Sequence, residues 1–262
     1  MRKIFDCFTF FDELDLLEMR LRYGYPYVDY FVICESNYTF RGNLKKLNFL
    51  KHRERFAPYL SKIIYVPFMT YAQNDPWQME KDQRNAINIG LEGAKDDDLI
   101  IISDVDEFIN YPNVMYTDYN IAKIRQYTFC YYLNTGNLNY RWNRAGVITN
   151  KELKKVGSID GFRDIIIEDD DYQKMNILEE GGWHFTYVGG IDQIQSKLSN
   201  FSHSEFDTPE INNKEYLESR MENGEDIALR VKRTMGKIDI KSTFPSDLSD
   251  IIYQYPHLLK QN

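Results

Sequence analysis

Disulfide chemistry has almost no material here. Cys7, Cys34 and Cys130 are odd in number and each lies in an apolar, strand-like run, so buried free thiols of a reducing cytosol fit better than a disulfide framework. Positive charge is also short, with 32 Lys and Arg against 40 Asp and Glu for a net charge of -8. That balance argues against nucleic acid or an anionic membrane surface as the main partner. Long hydrophobic runs are missing as well. The basic start Met1-Arg2-Lys3 meets Asp6 and then Asp12, Glu13 and Asp15, so no secretory h-region forms, and nothing approaches the length of a membrane span. The expectation is a soluble, cytoplasmic protein without a membrane span. Repeats, low-complexity tracts and linkers are absent too.

What is present is a chain of 262 residues, 43% hydrophobic and 15% aromatic, enough for one sizeable core. Strand and helix signals alternate through the first half. Strands are expected over 3–10, 27–34, 63–66 and 99–103, and helices over 13–23, behind Asp12 as N-cap, and 77–91. Such alternation indicates an α/β fold with a mostly parallel central sheet flanked by helices, because parallel neighbours need crossover connections. Aromatic strand-like runs follow at 124–134 and 139–148, then a short helix near 151–156 and an acidic loop from Glu168 to Asp171. A strand bracketed by Gly181-Gly182 and Gly189-Gly190 precedes helices at 191–201 and 215–222. The economical organisation is a single domain over 1–262, with a nucleotide-binding half to about residue 107 and an acceptor-side half beyond it.

The most informative stretch is Leu99-Ile100-Ile101-Ile102-Ser103-Asp104-Val105-Asp106-Glu107. A short β-branched run reads as a buried strand, which delivers the Asp-x-Asp to the sheet edge where open α/β folds hold ligands. Two carboxylates this close repel unless they share a cation, and hard oxygen ligands suit Mg2+ or Mn2+ rather than zinc. An acidic turn capping the next segment is the simpler alternative. Arg84 and Asn85, on the helix that feeds this strand, could reach a diphosphate and a sugar hydroxyl, although Glu80 and Arg84 also have the spacing of an intrahelical ion pair. Glu35 and Ser36 end the second strand at the same edge and could bind a base or ribose, or could form only a polar turn.

Trp183-His184 adds an imidazole that suits a third ligand position and an indole that could stack on a sugar or base. A lone histidine in an apolar strand is more often a hydrogen-bonded core residue, but the flanking glycine pairs, which often mark close approach of a ligand or of another backbone, favour a functional role. His203-Ser204-Glu205 and Tyr131-Tyr132 are weaker signals.

Taken together, several segments resemble glycosyltransferase family 17. They are Phe11-Asp12-Glu13-Leu14-Asp15-Leu16-Leu17-Glu18-Met19-Arg20, Val28 through Thr39 with Gly42, Gln83-Arg84-Asn85, Asp97 through Glu107, Gly182-Trp183-His184 and Lys197-Leu198. The part after about Glu205, and Phe108-Ile109-Asn110-Tyr111, depart from the family pattern. The resemblance implies a GT-A-like fold and inverting transfer of GlcNAc from UDP-GlcNAc to a glycan acceptor. The chemistry then needs a divalent cation on Asp104, Asp106 and His184, with Arg84 and Arg163 adding positive charge at the donor. A carboxylate base is also required, with Asp192 and Glu205 as candidates and Glu107 and Asp160 next. A phosphatase of the haloacid dehalogenase type and a non-catalytic glycan-binding protein are the competing classes.

Overall fold

The computed structural model describes residues 2–168, 175–227 and 234–261. Three strands near the amino terminus, β1 (Ile4–Thr9), β2 (Tyr30–Ser36) and β3 (Ile63–Phe68), join β4 (Leu99–Asp104) in a parallel block of order β3-β2-β1-β4. The sheet continues from β4 into antiparallel β7 (Thr135–Thr149), then β6 (Ile121–Cys130), β8 (Asn176–Thr186) and β5 (Glu107–Ile109), with the short β9 (Gly236–Lys237) on β7. The α/β class and the parallel block with its helical crossovers agree with the sequence reading.

The helices are α1 (Leu14–Gly24), α2 (Asn48–Lys51), α3 (Pro76–Ala86), α4 (Tyr111–Met115) and α5 (Asn150–Val156), followed by α6 (Ile159–Glu168), α7 (Ile191–Asn200), α8 (Lys214–Asn223), α9 (Ile240–Thr243) and α10 (Ser246–Ile252). The expected helix over 77–91 divides into α3 and a 3-10 turn over Ile87–Leu91. Of the expected acidic loop, Glu168 ends α6 and residues 169–171 lie outside the described residues. No helix among the described residues is long and apolar enough to cross a membrane.

In β4 the run from Leu99 to Ile102 is unbroken and apolar because both sheet faces are covered. Leu99 and Ile101 of β4 join Phe8, Ile33, Leu17 and Leu21 on one face, whereas Ile100 and Ile102 join Cys7, Val32, Ile87 and Phe162 on the other. A third cluster packs α7 and α8 through Ile194, Leu198, Leu217 and Met221. All three cysteines are buried and free.

Two local expectations change. Asp12 does not cap α1, whose N-cap is Glu13 without a side-chain cap bond. Instead Asp12 accepts hydrogen bonds from Gln193 Nε2 at 2.5 Å and Ser196 Oγ at 3.1 Å, tying the β1–α1 loop to α7. The first glycine pair lies inside β8, and it admits another backbone rather than a ligand. Gly182, at φ 149°, lies where a Cβ would come within 1.9 Å of the Phe108 carbonyl oxygen, so only glycine fits beside β5.

One buried ion pair organises the sheet edge. Arg20 of α1 donates to both carboxylate oxygens of Asp6 on β1, at 2.6 and 2.9 Å, and both side chains are fully buried. Its guanidinium also donates to Ser103 Oγ and to the carbonyls of Asp104, Val105 and Glu107, while Tyr111 donates its hydroxyl to Asp6 at 2.8 Å. Removing one partner strands the other charge in the core. Asp6→Ala is therefore expected to destabilise the fold by about 3–5 kcal/mol, measured by urea denaturation; a loss below about 1 kcal/mol, the scale of an exposed pair, would contradict this role.

Candidate active site

The carboxyl ends of β1, β2 and β4 open into one cavity of about 420 Å3. Thr9, Phe10, Phe11 and Glu13 line it after β1, Tyr38, Thr39 and Phe40 after β2, and Asp104, Val105 and Asp106 after β4. Glu80 and Arg84 face it from α3, Arg163 from α6, Trp142 and Arg144 from β7, His184 from β8 and Lys197 from α7. Six of the predicted residues, Asp104, Asp106, His184, Arg84, Arg163 and Asp160, thus meet in one place.

Charge in the cavity is closely paired. Arg163 donates to Asp104 Oδ2 at 2.8 Å, to Glu107 Oε2 at 3.1 Å and to the Arg144 carbonyl at 2.7 Å. Burial pushes the Asp104 carboxyl up, but Arg163 and Arg84 outweigh it and hold the group at about 2, so Asp104 is ionised across the neutral range. Lys197 Nζ lies 2.8 Å from Asp106 Oδ2, and His184 Nε2 lies 3.7 Å from Asp106 Oδ1. Burial lowers the His184 pKa against the pull of Asp106, which keeps the imidazole neutral near pH 7. Arg84 is forked between Asp160, at 2.6 Å, and Glu80.

The set Asp104, Asp106 and His184 offers carboxylate oxygen and neutral imidazole, which could hold Mn2+ or Mg2+. Among the described residues no three His, Cys, Asp or Glu side chains form a ready metal cage. A hard cation of this kind commonly takes one or two carboxylates and completes its shell with water and phosphate, so these donors fit an ion shared with a phosphate ligand. His184 Nδ1 is buried and has no hydrogen-bond partner among the described residues.

Other predicted residues lie elsewhere. Glu35 is fully buried and accepts from Lys45 Nζ, Tyr65 Oη and the Asn48 and Phe49 amides, so it anchors the segment after β2 and does not line the cavity. Ser36 accepts from the Tyr38 amide, and Asn85 accepts from the Asp160 amide at the start of α6. Trp183 faces the core against Tyr23 and Phe244, because neighbours on a strand point to opposite faces and His184 takes the cavity side. Asp192 is exposed in the first turn of α7 and does not line the cavity. Glu205 is exposed, pairs with His203 at 2.7 Å and does not line the cavity. Glu107 is fully buried and accepts from Arg163, Trp142 and the Asp104 amide, a positioning arrangement. Asp160 lines the cavity but is paired with Arg84 and Lys81.

Three residues gain importance from the structure. Trp142 supplies the indole that Trp183 does not, stacked on His184 with ring centroids 4.3 Å apart; it sits in a strand of mixed polarity that carries no local signal. Lys197 and Glu13 both lie in segments that carried the resemblance. Glu13 accepts from the Phe11 and Asp12 amides, and burial, reinforced by Asp12, raises its pKa to about 7.

A carboxyl with a folded pKa above its unfolded value binds its proton more tightly in the folded state. Its contribution to stability is full below about pH 4.5 and is lost as pH rises through about 7. Glu13→Gln removes that loss. Relative to the unsubstituted protein, it should gain about 1–3 kcal/mol between pH 5 and pH 8 in denaturant titrations; a stability difference independent of pH would show that Glu13 is not perturbed.

Comparison with known proteins follows the same segments. Residues 1–235 match glycosyltransferase family 17. The β-1,4-mannosyl-glycoprotein 4-β-N-acetylglucosaminyltransferase of Rattus norvegicus is 25% identical over 177 residues, 62% of this chain and 32% of that protein. Its Homo sapiens counterpart is 25% identical over 177 residues, 62% of this chain and 33% of that protein. The chain therefore spans about a third of the length of the curated relatives it matches. Among solved structures, the inositol-1-phosphate CTP transferase from T. maritima aligns with a TM-score of 0.37 and 11% identity, over 71% of this chain and 85% of that one. On the match across residues 1–235, this chain belongs to glycosyltransferase family 17.

Proposed function

We propose that this chain transfers GlcNAc from UDP-GlcNAc to a hydroxyl of a glycan acceptor, with inversion and with the help of Mn2+ or Mg2+, on a GT-A-like scaffold. The observation that carries the reading is the Asp104–Asp106 pair at the end of β4, set with His184, Arg163 and Lys197 in one cavity at the edge of the parallel strands. Family membership supports the reaction class. The names of the rat and human relatives support the sugar.

Asp106 and His184, with Asp104 beside them, are the groups that would hold the ion. When bound, it would offset charge on the diphosphate as the anomeric C–O bond breaks. Arg163 and Arg84 place guanidinium groups at the same wall, and their ion pairs fix them there before substrate arrives. The Trp142 ring, exposed to the cavity beside His184, offers an apolar face for a sugar. The acceptor hydroxyl must lose a proton, and Glu13 suits that task better than Asp192 or Glu205. It lines the cavity, its pKa of about 7 is near the working pH, and its carboxylate is held by backbone amides rather than neutralised by a guanidinium. The residues on the cavity wall come from both halves of the chain.

Purified protein incubated with UDP-GlcNAc and Mn2+ should release UDP, faster with a panel of aryl glycosides as acceptors. Asp106→Asn is expected to abolish Mn2+-dependent UDP binding in calorimetry while the melting transition persists. Glu13→Gln should leave UDP affinity unchanged and slow UDP release by about two to four orders of magnitude. Phosphate release from phosphomonoesters without UDP release, or glycan binding without turnover, would overturn the transferase reading in favour of a phosphatase or a lectin-like protein.

A further inference from the structure

The cations on the cavity wall differ in how firmly they are held. Arg163 spends its planar fork on three acceptors from three segments, and Arg84 bridges two carboxylates. Both are locked. Among the described residues Lys197 makes one side-chain hydrogen bond, to Asp106 Oδ2 at 2.8 Å, from the last turn of α7. Its ammonium lies 5.4 Å from the Tyr187 ring centroid, and 28% of the side chain remains exposed to the cavity. The helix beneath it is fastened to the β1–α1 loop by the bonds of Gln193 and Ser196 to Asp12. An ammonium on a four-carbon stem can therefore move while its backbone stays fixed.

We infer that Lys197 has two positions: with no donor present it is the counter-ion of Asp106, and with a nucleotide-sugar bound it is the cation of the leaving diphosphate. The inference rests on the nucleotide-sugar reading above. Asp106 is nearly buried, with 7% of its side chain exposed, and a buried carboxylate without a counter-charge is costly. The lysine neutralises it in the resting protein. A divalent ion on Asp106 would meet the ammonium as a like charge at short range, so the two compete for one carboxylate. The diphosphate resolves the competition by giving the displaced ammonium an anion of its own. As the acceptor oxygen bonds to the anomeric carbon, the electron pair of the breaking C–O bond passes to the terminal phosphate oxygen, which accepts from Lys197. The acceptor proton leaves for a carboxylate on the wall.

The competition has a signature that does not depend on turnover. Lys197→Met keeps the stem and removes the charge, and Lys197→Arg keeps the charge. With Mn2+ alone, followed by electron paramagnetic resonance or calorimetry, Lys197→Met should bind the ion about tenfold tighter than the unsubstituted protein, while Lys197→Arg should not. With Mn2+ saturating, UDP should bind Lys197→Met about tenfold more weakly, and Lys197→Arg should recover most of that loss. Melting curves of both variants verify that they fold. Unchanged or weaker Mn2+ binding by folded Lys197→Met overturns the counter-ion role, and unchanged UDP affinity overturns the diphosphate role. If the unsubstituted protein binds neither Mn2+ nor UDP, the nucleotide-sugar reading itself fails, and that outcome is distinct from both.

Discussion

The guanidinium of Arg20, sealed in the core, joins three stretches of chain that are far apart in sequence. It neutralises Asp6 in the middle of β1, belongs itself to α1, and gathers the Ser103 hydroxyl and the carbonyls of residues 104, 105 and 107. Those carbonyls form the turn that leaves β4, so the direction in which Asp104 and Asp106 project is set from beneath by one buried cation. A second layer, Glu107, receives the Asp104 amide, Arg163 and the Trp142 indole. The carboxylates at the end of β4 are thus held by a framework of paired charges. Such a buried network adds less to net stability than its bond count implies, because desolvation offsets much of the attraction. Its service here is to fix geometry.

On that framework the cavity separates fixed from movable charge. Arg163 and Arg84 are bound on several sides and stay fixed along the α3 and α6 wall, where they lower Asp104 to about 2. Glu13 moves the other way because it is desolvated next to Asp12. Two carboxyl groups in one cavity, one firmly ionised and one poised near neutrality, form the division expected between a charge-binding group and a proton acceptor.

Much of this was legible in the sequence because the signals were local. The apolar run from Leu99 to Ile102 is unbroken because both sheet faces are covered, and its end at Asp104 and Asp106 follows from parallel crossover topology. The failures have a common cause: sequence shows that a polar residue ends a strand, not which way its side chain turns or what has already claimed it. Glu35 stands at the right edge, but two amides, a lysine and a tyrosine occupy its oxygens. Trp183 and His184 could not both face the cavity, since adjacent strand residues alternate, and the indole that does is Trp142, some forty residues away in sequence. Asp192 follows the second glycine pair, and that neighbourhood says nothing about the exposed face of α7 that it occupies. Glu13 and Lys197 were visible only as members of the matching segments, because desolvation and the approach of α7 to the β4 edge are tertiary facts.

The most direct test of the account is a crystal structure of the protein soaked with UDP and Mn2+, with anomalous scattering used to find the metal. The account predicts one manganese peak bound by Asp106 and His184, with the diphosphate of UDP completing its shell in the cavity and Lys197 turned from Asp106 onto a phosphate oxygen. UDP bound away from the β4 edge, or bound there with no manganese and with Lys197 still on Asp106, would contradict it.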